Sequence, residues 1–456
     1  MDVPAVTLES LLQRIAELEQ TVSALQAENC LLRERLEQQQ RAGARQAAPF
    51  RRRDSKKVPE GEKKRPGRKA GHPGAHRPVP AQVDEEIEQP LDGCPKCGGA
   101  VSDCRPVEQF IEEIPPVRPR VVRLVTWEGL CPNCGEVHST HPLQTSRARH
   151  AAKVQLGPRA LATATALNKH FGLSMRRTCQ VLDKLFGLKF SPGGLSQATD
   201  RVADRLTEKY EALQEDIRGA PATFADETSW WVGKPGWWLW VFTTPNETFF
   251  HVDKSRSSAV AREILGNNYS GVLVSDCLSS YDPLDCRKHK CIAHHLRAIS
   301  EAKELPGHAE SAYLQEWVVL LKVVIVLHRL AVDGEMEMMT LIERRTHLEN
   351  WIDRLLDKSV EQPGEARIRN RLRKQRPHLI GCLYDLSAEP TNNRAERALR
   401  PAVIARKISC GNKTDRGRRT WQVLASLAAT CVQRGEDVID YITKNVLLQK
   451  KGEHAG

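Results

Sequence analysis

The amino-acid sequence predicts an α/β protein made of several units, and three patterns indicate this. A leucine heptad pattern opens the chain, two Cys-Pro-x-Cys-Gly knuckles follow, and a long section then mixes short apolar strands with amphipathic helices. Of its 456 residues, 40% are hydrophobic, so most of the chain can bury a core. The predicted units are a coiled coil (1–40), a basic linker (41–90), a zinc ribbon (91–145), a helical unit (150–218), and an α/β core (219–295 and 391–445) interrupted by a helical insertion (296–390).

Residues 8–36 carry the heptad pattern, because their apolar residues recur in alternating steps of three and four. Ile15, Val22 and Leu36 fall at a positions, and leucines fall at the d positions. Asn29 is the single polar a residue, and such an asparagine fixes the register of a parallel two-stranded coil. The pattern therefore predicts a homo-oligomer formed through residues 8–36. One amphipathic helix packed on the protein's own body is the alternative.

The next segment is strongly basic and rich in Pro and Gly. The whole chain carries 68 Lys and Arg against 57 Asp and Glu, a net charge of +11. A tract of this kind binds phosphates without sequence preference by releasing counterions, so DNA is the predicted partner. A solvated linker is the alternative. The predicted DNA contacts in this tract are Arg51, Arg52, Arg53, Lys63, Lys64, Arg65, Arg68 and Lys69.

Two classes of protein are excluded by simple patterns. The first residues show no basic stretch followed by an apolar one, so no secretory signal is expected. The longest apolar stretch, 318–327, is interrupted by Lys322 and is too short to span a bilayer. We therefore expect a cytoplasmic, nucleoid-associated protein with no membrane partner. Since disulfides are rare in that compartment, some of the 13 cysteines are expected to bind metal or fill core space.

The two knuckles lie at 94–99 and 131–135. Their four thiolates, Cys94, Cys97, Cys131 and Cys134, have the spacing of a tetrahedral structural Zn²⁺ site, with free thiols as the alternative. A strand is predicted between the knuckles, over 121–127. Helices are predicted from 154 to 217, with Ser191 as an N-cap and Pro192 at a first helical position. A DNA-reading helix-turn-helix and a plain packing bundle both fit this helical stretch.

Acidic residues end two of the predicted core strands. Asp226 lies in a strand at 222–228, strands at 237–242 and 248–252 and a helix ending near Leu265 follow, and Asp276 ends a strand at 271–276. This is the strand order of a ribonuclease-H-like fold, in which the first and fourth strands are adjacent and parallel. Two neighbouring carboxylates repel unless a cation lies between them, and Mg²⁺ prefers oxygen ligands. A magnesium site is therefore predicted where Asp226 and Asp276 meet.

A third acid is expected from a later helix, and Glu396 supplies it. Asn393 is predicted to cap or orient the start of that helix, and Arg397 and Arg400 flank the acid and could hold DNA phosphates. Taken singly, each of the three acids would be a turn residue or part of a solvated helix face; together with the strand order they favour a metal site. A second basic run at 367–376 is expected on the inserted helices, as part of a DNA track or as a solvated face.

These motifs together resemble the insertion sequence sixty-six family of transposases, which are DDE-type enzymes of bacterial mobile elements. The resemblance covers nearly the whole chain: the zipper, the Gly-Arg-Lys-Ala-Gly-His-Pro-Gly stretch at 67–74, the knuckles, the two aspartate strands and the Asn-Asn-x-Ala-Glu-Arg block at 392–397. The 290–297 segment is similar to the family's Cys-x-x-His segment. For Cys291 and His294 we favour a structural or DNA-contacting role over half of a zinc site. The Arg406-Lys407 pair is similar to the family's C-terminal end and joins the predicted DNA contacts.

The resemblance implies that Asp226, Asp276 and Glu396 are a catalytic triad that binds Mg²⁺ or Mn²⁺. It implies metal-dependent DNA cleavage and strand transfer at the ends of an insertion sequence. The implied partners are the terminal inverted repeats, target DNA and small accessory proteins. A DNA-binding regulator with an inactive core, and a structure-specific nuclease on the same fold, are the alternatives.

Overall fold

The computed structural model describes residues 77–146 and 154–448, and the chain divides into two compact units, Met1–Ile114 and Pro115–Gly456. The predicted coiled coil and the eight predicted DNA contacts between Arg51 and Lys69 lie outside the described residues. The described part of the first unit contains no helix or strand. It has one tight turn at its cysteine pair, where the Cys94 amide donates to the Gly99 carbonyl at 2.9 Å.

The second unit begins with a small antiparallel hairpin. Strand β1 (Glu128–Cys131) pairs with β2 (Gly135–His138), and Glu128 lies opposite His138. The strand predicted at 121–127 is wrong, because β1 begins only at Glu128. Just before it, the Trp127 carbonyl accepts from the Ser139 amide at 2.8 Å. Residues 121–126 have strand-like composition, but among the described residues no second strand pairs with their backbone, and a β-branched sequence alone does not make a strand.

Four helices follow, as the sequence predicts: α1 (Pro158–Lys169), α2 (Met175–Phe186), α3 (Pro192–Arg205) and α4 (Thr207–Gly219). Helix α2 ends at Gly187, whose φ of 67° is readily adopted only by a residue without a Cβ. At the start of α3, the Ser191 hydroxyl accepts from the Gly194 amide at 3.1 Å. Pro192 occupies the first turn, where its missing N–H has no cost.

The core is a five-stranded mixed sheet. Its strands are β3 (Ala222–Val232), β4 (Lys234–Thr243), β5 (Thr248–Asp253), β6 (Val272–Ser275) and β7 (Arg287–Lys290), and α5 (Ser258–Leu265) connects β5 to β6. The spatial order is β5-β4-β3-β6-β7. Strands β5, β4 and β3 are antiparallel neighbours, whereas β3, β6 and β7 are parallel. The two aspartate strands, β3 and β6, are thus adjacent and parallel, which is the arrangement that the sequence predicts.

The remaining elements are helical. Two long helices and two shorter ones lie between the last strand and the Glu396 segment, and three more complete the described chain. They are α6 (Ile292–Lys303), α7 (Ala312–Val332), α8 (Met338–Asp357), α9 (Pro363–Lys374), α10 (Asn393–Ser409), α11 (Asp415–Gln433) and α12 (Val438–Leu448). None of the helices in the described ranges has the length and apolar character needed to cross a membrane.

Both faces of the sheet are buried under helices. On one face, Phe224 and Val274 share a hydrophobic cluster with Trp317 of α7. On the other face, Trp240 and Leu273 share a cluster with residues of α1, α4 and α11. A sheet covered on both sides explains why β6 and the second half of β4 are apolar runs that do not alternate with polar residues.

Helix α11 covers the outer edge of the sheet. Three of its polar side chains, each four residues apart, accept from the amides of β5: Gln422 from Val252 at 3.2 Å, Ser426 from Phe250 at 2.8 Å and Thr430 from Thr248 at 3.1 Å. A four-residue spacing keeps side chains on one helix face, and alternate amides of an edge strand point outward together. The helix thus satisfies the row of donors that an edge strand leaves unpaired.

Candidate active site

Two aspartates meet at the point where β3 and β6 separate. Phe224 and Val274 are the last paired residues of these strands, and each strand has an aspartate two residues farther on, Asp226 and Asp276. Both side chains are half-buried. The Asp276 carboxylate accepts from the Leu278 amide at 2.9 Å, and that of Asp226 accepts from the Glu227 amide at 2.9 Å. The parallel pairing therefore brings two acids that are 50 positions apart to the same end of the sheet.

Helix α10 contributes the third acid, Glu396, from its first turn. The start of α10 is fixed by Asn392, which is fully buried. Its side-chain amide donates to the Ala225 carbonyl at 2.8 Å, one residue before Asp226. Its backbone amide donates to the Cys291 thiol at 3.1 Å. The expectation for Asn393 is wrong: the N-cap of α10 is Asn392, and Asn393 is exposed, because the chain turns its first asparagine toward β3.

The carboxylates influence one another. Burial raises the pKa of Asp226 well above its usual range, and the charges of Glu227, Asp276 and Glu396 raise it further. Each of these neighbours makes the ionised form of Asp226 more costly, which is the condition that a cation relieves. Within the described ranges, no group of three or more His, Cys, Asp or Glu side chains is arranged to hold a metal ion. The three acids are thus electrostatically coupled, and they offer the oxygen donors that hard divalent cations prefer.

Glu227 is a fourth acid at this site, and the sequence reasoning did not single it out. Its side chain is only 1% exposed. The Arg256 guanidinium donates to one carboxylate oxygen at 2.7 Å, and the Tyr281 hydroxyl donates to the other at 2.7 Å. Burial raises the pKa of Glu227, and the hydrogen bonds from Arg256 and Tyr281 oppose that rise. The signal available in the sequence was an acid at an inward-facing position of an apolar strand.

The Cys-x-x-His segment lies at the start of α6, beside the third acid. His294 Nε2 is 3.8 Å from Glu396 Oε1, and burial lowers the pKa of His294. Cys291 is fully buried, burial raises the pKa of its thiol, and its sulfur accepts from the Asn392 amide. Cys291 therefore has a structural contact between α6 and α10, in agreement with the favoured expectation.

The four predicted DNA contacts on α10 lie in different surroundings. Arg397 and Arg400 are exposed next to Glu396, and Lys407 is exposed near the end of the helix. Arg406 is half-buried, and its guanidinium donates to the Thr228 hydroxyl at 3.1 Å and to the carbonyl and hydroxyl of Ser229. Arg406 is thus engaged within the fold, where it holds α10 against β3.

The two cysteine pairs have the same local geometry, each within its own unit. Hydrogen bonds from the amides of Lys96 and Cys97 lower the pKa of the Cys94 thiol. Those of Asn133 and Cys134 likewise lower the pKa of the Cys131 thiol. Amides turned toward the first sulfur of a pair stabilise a thiolate, which is the form that binds metal.

Comparison with protein families identifies the core. The model of the transposase IS66 family matches residues 153–420, which is more than half of the chain and includes Asp226, Asp276 and Glu396. The chain belongs to the transposase IS66 family.

Two relatives from Sinorhizobium fredii are similar to this chain, and both are uncharacterized proteins. Uncharacterized protein y4qI is 25% identical over 299 residues, which are 57% of this chain and 53% of y4qI. Uncharacterized protein y4jD is 24% identical over 389 residues, 78% of this chain and 74% of y4jD. The chain thus spans about half the length of the first relative and about three quarters of the second.

Proposed function

We propose that this chain cleaves DNA at the ends of an insertion sequence and joins the freed ends to target DNA, with Asp226, Asp276 and Glu396 as its catalytic triad. The observation that carries the proposal is geometric: the parallel pairing of β3 and β6 brings Asp226 and Asp276 to one end of the sheet, and Asn392 holds the start of the Glu396 helix to β3 beside Asp226. We also propose that the core is ribonuclease-H-like, because its strand order, β5-β4-β3-β6-β7, is the order expected of that fold.

The carboxylate chemistry of the three acids suits divalent cations. Asp226, Asp276 and Glu396 would hold Mg²⁺ or Mn²⁺ through carboxylate oxygens, and the raised pKa of Asp226 reflects the excess negative charge that such ions balance. When bound, the ions would supply a lowered pKa for an attacking water and would neutralise charge on the leaving oxygen.

The chain's own residues orient this chemistry. A hydrogen bond from Asn392 holds the Glu396 helix to the Asp226 strand. Hydrogen bonds from Arg256 and Tyr281 hold the carboxylate of Glu227, the residue after Asp226. Groups held this firmly lose little freedom when the substrate arrives, and this is a large part of catalysis by positioning.

Cleavage and joining are two successive displacements at phosphorus. In cleavage, a water oxygen bonds to the phosphorus at the element's end and gives up a proton to solvent. The bond from that phosphorus to the 3′ oxygen breaks, and the leaving 3′ oxygen takes up a proton to become a 3′-OH, while the phosphate stays on the flanking 5′ end. In joining, the 3′-OH gives its proton to solvent and its oxygen bonds to a phosphorus of the target strand. The bond from that phosphorus to the target's own 3′ oxygen breaks, and that oxygen takes up a proton to leave as a 3′-OH. One phosphodiester is exchanged for another in the second step, so no external energy source is required.

The test is a cleavage and strand-transfer assay with purified full chain, Mg²⁺ and a duplex that carries the inverted repeat flanking the reading frame. Asp226→Asn removes one metal-binding charge with little change in volume, and we expect product formation to fall by about 10²-fold or more. The matched control is Asp415→Asn, because the Asp415 side chain is 71% exposed and lies on α11. Equal activity of Asp226→Asn and wild type would refute the triad.

A DNA-binding regulator with an inactive core is the second candidate. It is favoured by the zipper, the basic tract and the paired knuckles, which could suffice for DNA binding without cleavage. This candidate predicts that the chain binds the element's ends and yields no cleaved strand at any concentration of Mg²⁺ or Mn²⁺. Cleavage without joining would instead point to a nuclease.

A structural zinc ion held by Cys94, Cys97, Cys131 and Cys134 is a further part of the proposal. It is supported by the paired knuckle spacing and by the amide hydrogen bonds that lower the pKa of Cys94 and Cys131. We expect about one zinc ion per purified chain by atomic absorption. Cys131→Ser should abolish this zinc, whereas the control Cys104→Ser, outside the knuckles, should retain it. Zinc retained in Cys131→Ser would refute the assignment.

We also propose that residues 8–36 pair two copies of the chain, which would present two catalytic cores to the two ends of the element. Leu25→Asp places a charge at a d position and should convert a dimer to a monomer in light scattering. Gln20→Asp, at an outward-facing f position of the same heptad pattern, is the control and should leave the dimer intact. A monomeric wild type would remove this part of the proposal.

A further inference from the structure

Helix α9 of the insertion carries most of a basic run whose members differ in what they contact. Four of its six cations contact other parts of the protein. Arg369 donates to the Lys358 carbonyl and Arg373 to that of Leu356, whereas Lys374 pairs with Asp282 and Arg376 with Asp353. A fifth, Arg367, is exposed. The sixth, Arg371, is half-buried and has a different set of neighbours.

Arg371 lies near the candidate active site, where its side chain hydrogen-bonds the Cys277 thiol. Helix α9 packs on α6, which carries His294 and His295. Burial lowers the pKa of both histidines, and the Arg371 charge is near enough to contribute to each shift. Burial raises the pKa of the Cys277 thiol, next in sequence to Asp276, and Arg371 opposes that rise. The guanidinium is therefore close to residues that adjoin Asp276 and Glu396.

The hydrogen-bonding capacity of Arg371 is not used up by the protein. Its Nε is buried and has no hydrogen-bond acceptor in the described part of the chain. Within those same residues, Arg371 also forms no ion pair with a carboxylate, although Asp276 and Glu396 are near the histidines beside it. A buried N–H without an acceptor costs about 1–3 kcal/mol, which an acceptor on a ligand would relieve. Arg369 Nε on the same helix is also buried without an acceptor among the described residues, but the Arg369 guanidinium is anchored by the Lys358 carbonyl.

The chemistry of the site identifies that ligand as a phosphate. The acceptor must be anionic or strongly polar, must lie beside the carboxylates, and must tolerate a planar guanidinium. Arg matches phosphate oxygens with two parallel N–H donors, and its charge cannot be lost by deprotonation. A protein carboxylate as the ligand is disfavoured, since acids are already nearby and none is paired with Arg371.

We propose that Arg371 is a catalytic residue that donates to a non-bridging oxygen of the scissile DNA phosphodiester. This inference rests on the proposed function. It assigns the helical insertion a direct part in the reaction: the insertion carries a cation into the site formed by β3, β6 and α10, and that cation stabilises the charge that develops on the phosphorus oxygens during displacement.

The experiment compares single-turnover cleavage of the inverted-repeat duplex by wild type, Asp226→Asn, Arg371→Gln, Arg371→Lys and Arg367→Gln. Arg367→Gln removes the same charge from the same helix, one turn away. DNA affinity is measured by fluorescence anisotropy without divalent metal. We expect Arg371→Gln to lower the cleavage rate by about 10²-fold while DNA affinity changes by less than about threefold. Arg371→Lys should recover part of the rate, and Arg367→Gln should resemble wild type.

Each outcome decides between the inference and the proposal beneath it. If wild type cleaves, Asp226→Asn does not, and Arg371→Gln cleaves as fast as Arg367→Gln, Arg371 has no catalytic role and the triad stands. A wild type that binds DNA but never cleaves it overturns both. Should Arg371→Gln fail to fold, Arg371→Ala with added guanidinium chloride at millimolar concentration replaces it. Restoration of cleavage by guanidinium, with none for Asp226→Asn, supports the inference, and lack of restoration in folded protein overturns it.

Discussion

Asn392 and Asn393 are adjacent and chemically identical, yet the structure gives them opposite importance. Asn392 is fully buried and donates to the Ala225 carbonyl at 2.8 Å, whereas Asn393 is exposed. In Asn392→Ala, the buried carbonyl loses a donor, which costs about 1–3 kcal/mol. The cavity left by the shorter side chain costs about 1 kcal/mol more. The substitution also removes the buried Asn392 Oδ1, which has no partner among the described residues, and this offsets part of the loss of stability. We expect the free energy of unfolding to fall by about 2 kcal/mol.

Urea unfolding followed by tryptophan fluorescence measures this difference, with Asn393→Ala as the control. Because Asn393 is exposed, its substitution should change the free energy of unfolding by less than about 0.5 kcal/mol. In the cleavage assay, Asn392→Ala should lose up to about 10²-fold in rate, since a shift of about 1 Å in Glu396 is enough for such a loss. Equal urea midpoints for the two variants would show that the Asn392–Ala225 hydrogen bond does not hold α10 on β3.

Two further predictions concern stability. Tyr281→Phe leaves the buried Glu227 carboxylate without one of its donors and should lower the free energy of unfolding by about 2 kcal/mol in urea titrations. The control Tyr384→Phe breaks an exposed hydrogen bond to Glu349 and should lower it by less than about 0.5 kcal/mol. Equal losses in the two variants would contradict this prediction. Burial lowers the pKa of His289 to about 4, so the unfolded chain, with an ordinary histidine pKa of about 6.5, binds more protons between these values. The stability that His289 contributes should therefore be fully present above pH 6.5 and should be lost as the pH drops toward 4, with about 2 kcal/mol lost at pH 5. In urea titrations at pH 7 and pH 5, His289→Gln should show a smaller difference in the free energy of unfolding than wild type.

The strands that carry the aspartates could be predicted from the sequence because their signals are local. Strand β6 is a run of four buried residues, and β3 begins with four more, so composition alone indicates a strand covered on both faces. The parallel pairing of these strands follows from the order of elements between them. The end of the sheet at which the two acids meet could therefore be expected before any coordinates.

Strand β7 was missed for the opposite reason. Its sequence, Arg-Lys-His-Lys, has the composition of an exposed loop, yet His289 and Lys290 are both fully buried. The charge of Lys290 is balanced by Asp282, 3.2 Å away, and its ammonium group donates to the Ser275 hydroxyl. These partners are supplied by tertiary structure, and no pattern within four residues reveals them.

The same limit applies to the environment of the acids. The choice between Asn392 and Asn393 depends on which of them turns toward β3, and a sequence places both at the start of the helix. Glu227 is recognisable as a site residue only when Arg256 and Tyr281 are seen to enclose it. Sequence patterns identified the residues that carry charge, whereas the residues that hold them in place required the fold.

The outer edge of the sheet has a consequence for how the protein is made. Strand β5 is synthesised about 170 residues before the α11 side chains that occupy its outward amides. Until those residues leave the ribosome, a hydrophobic strand with free donors is open to strands of other nascent chains, and such edges promote intermolecular β-pairing and aggregation. Premature stop codons before Asp415 should accordingly produce insoluble material, because the truncated chain lacks the helix that covers this edge.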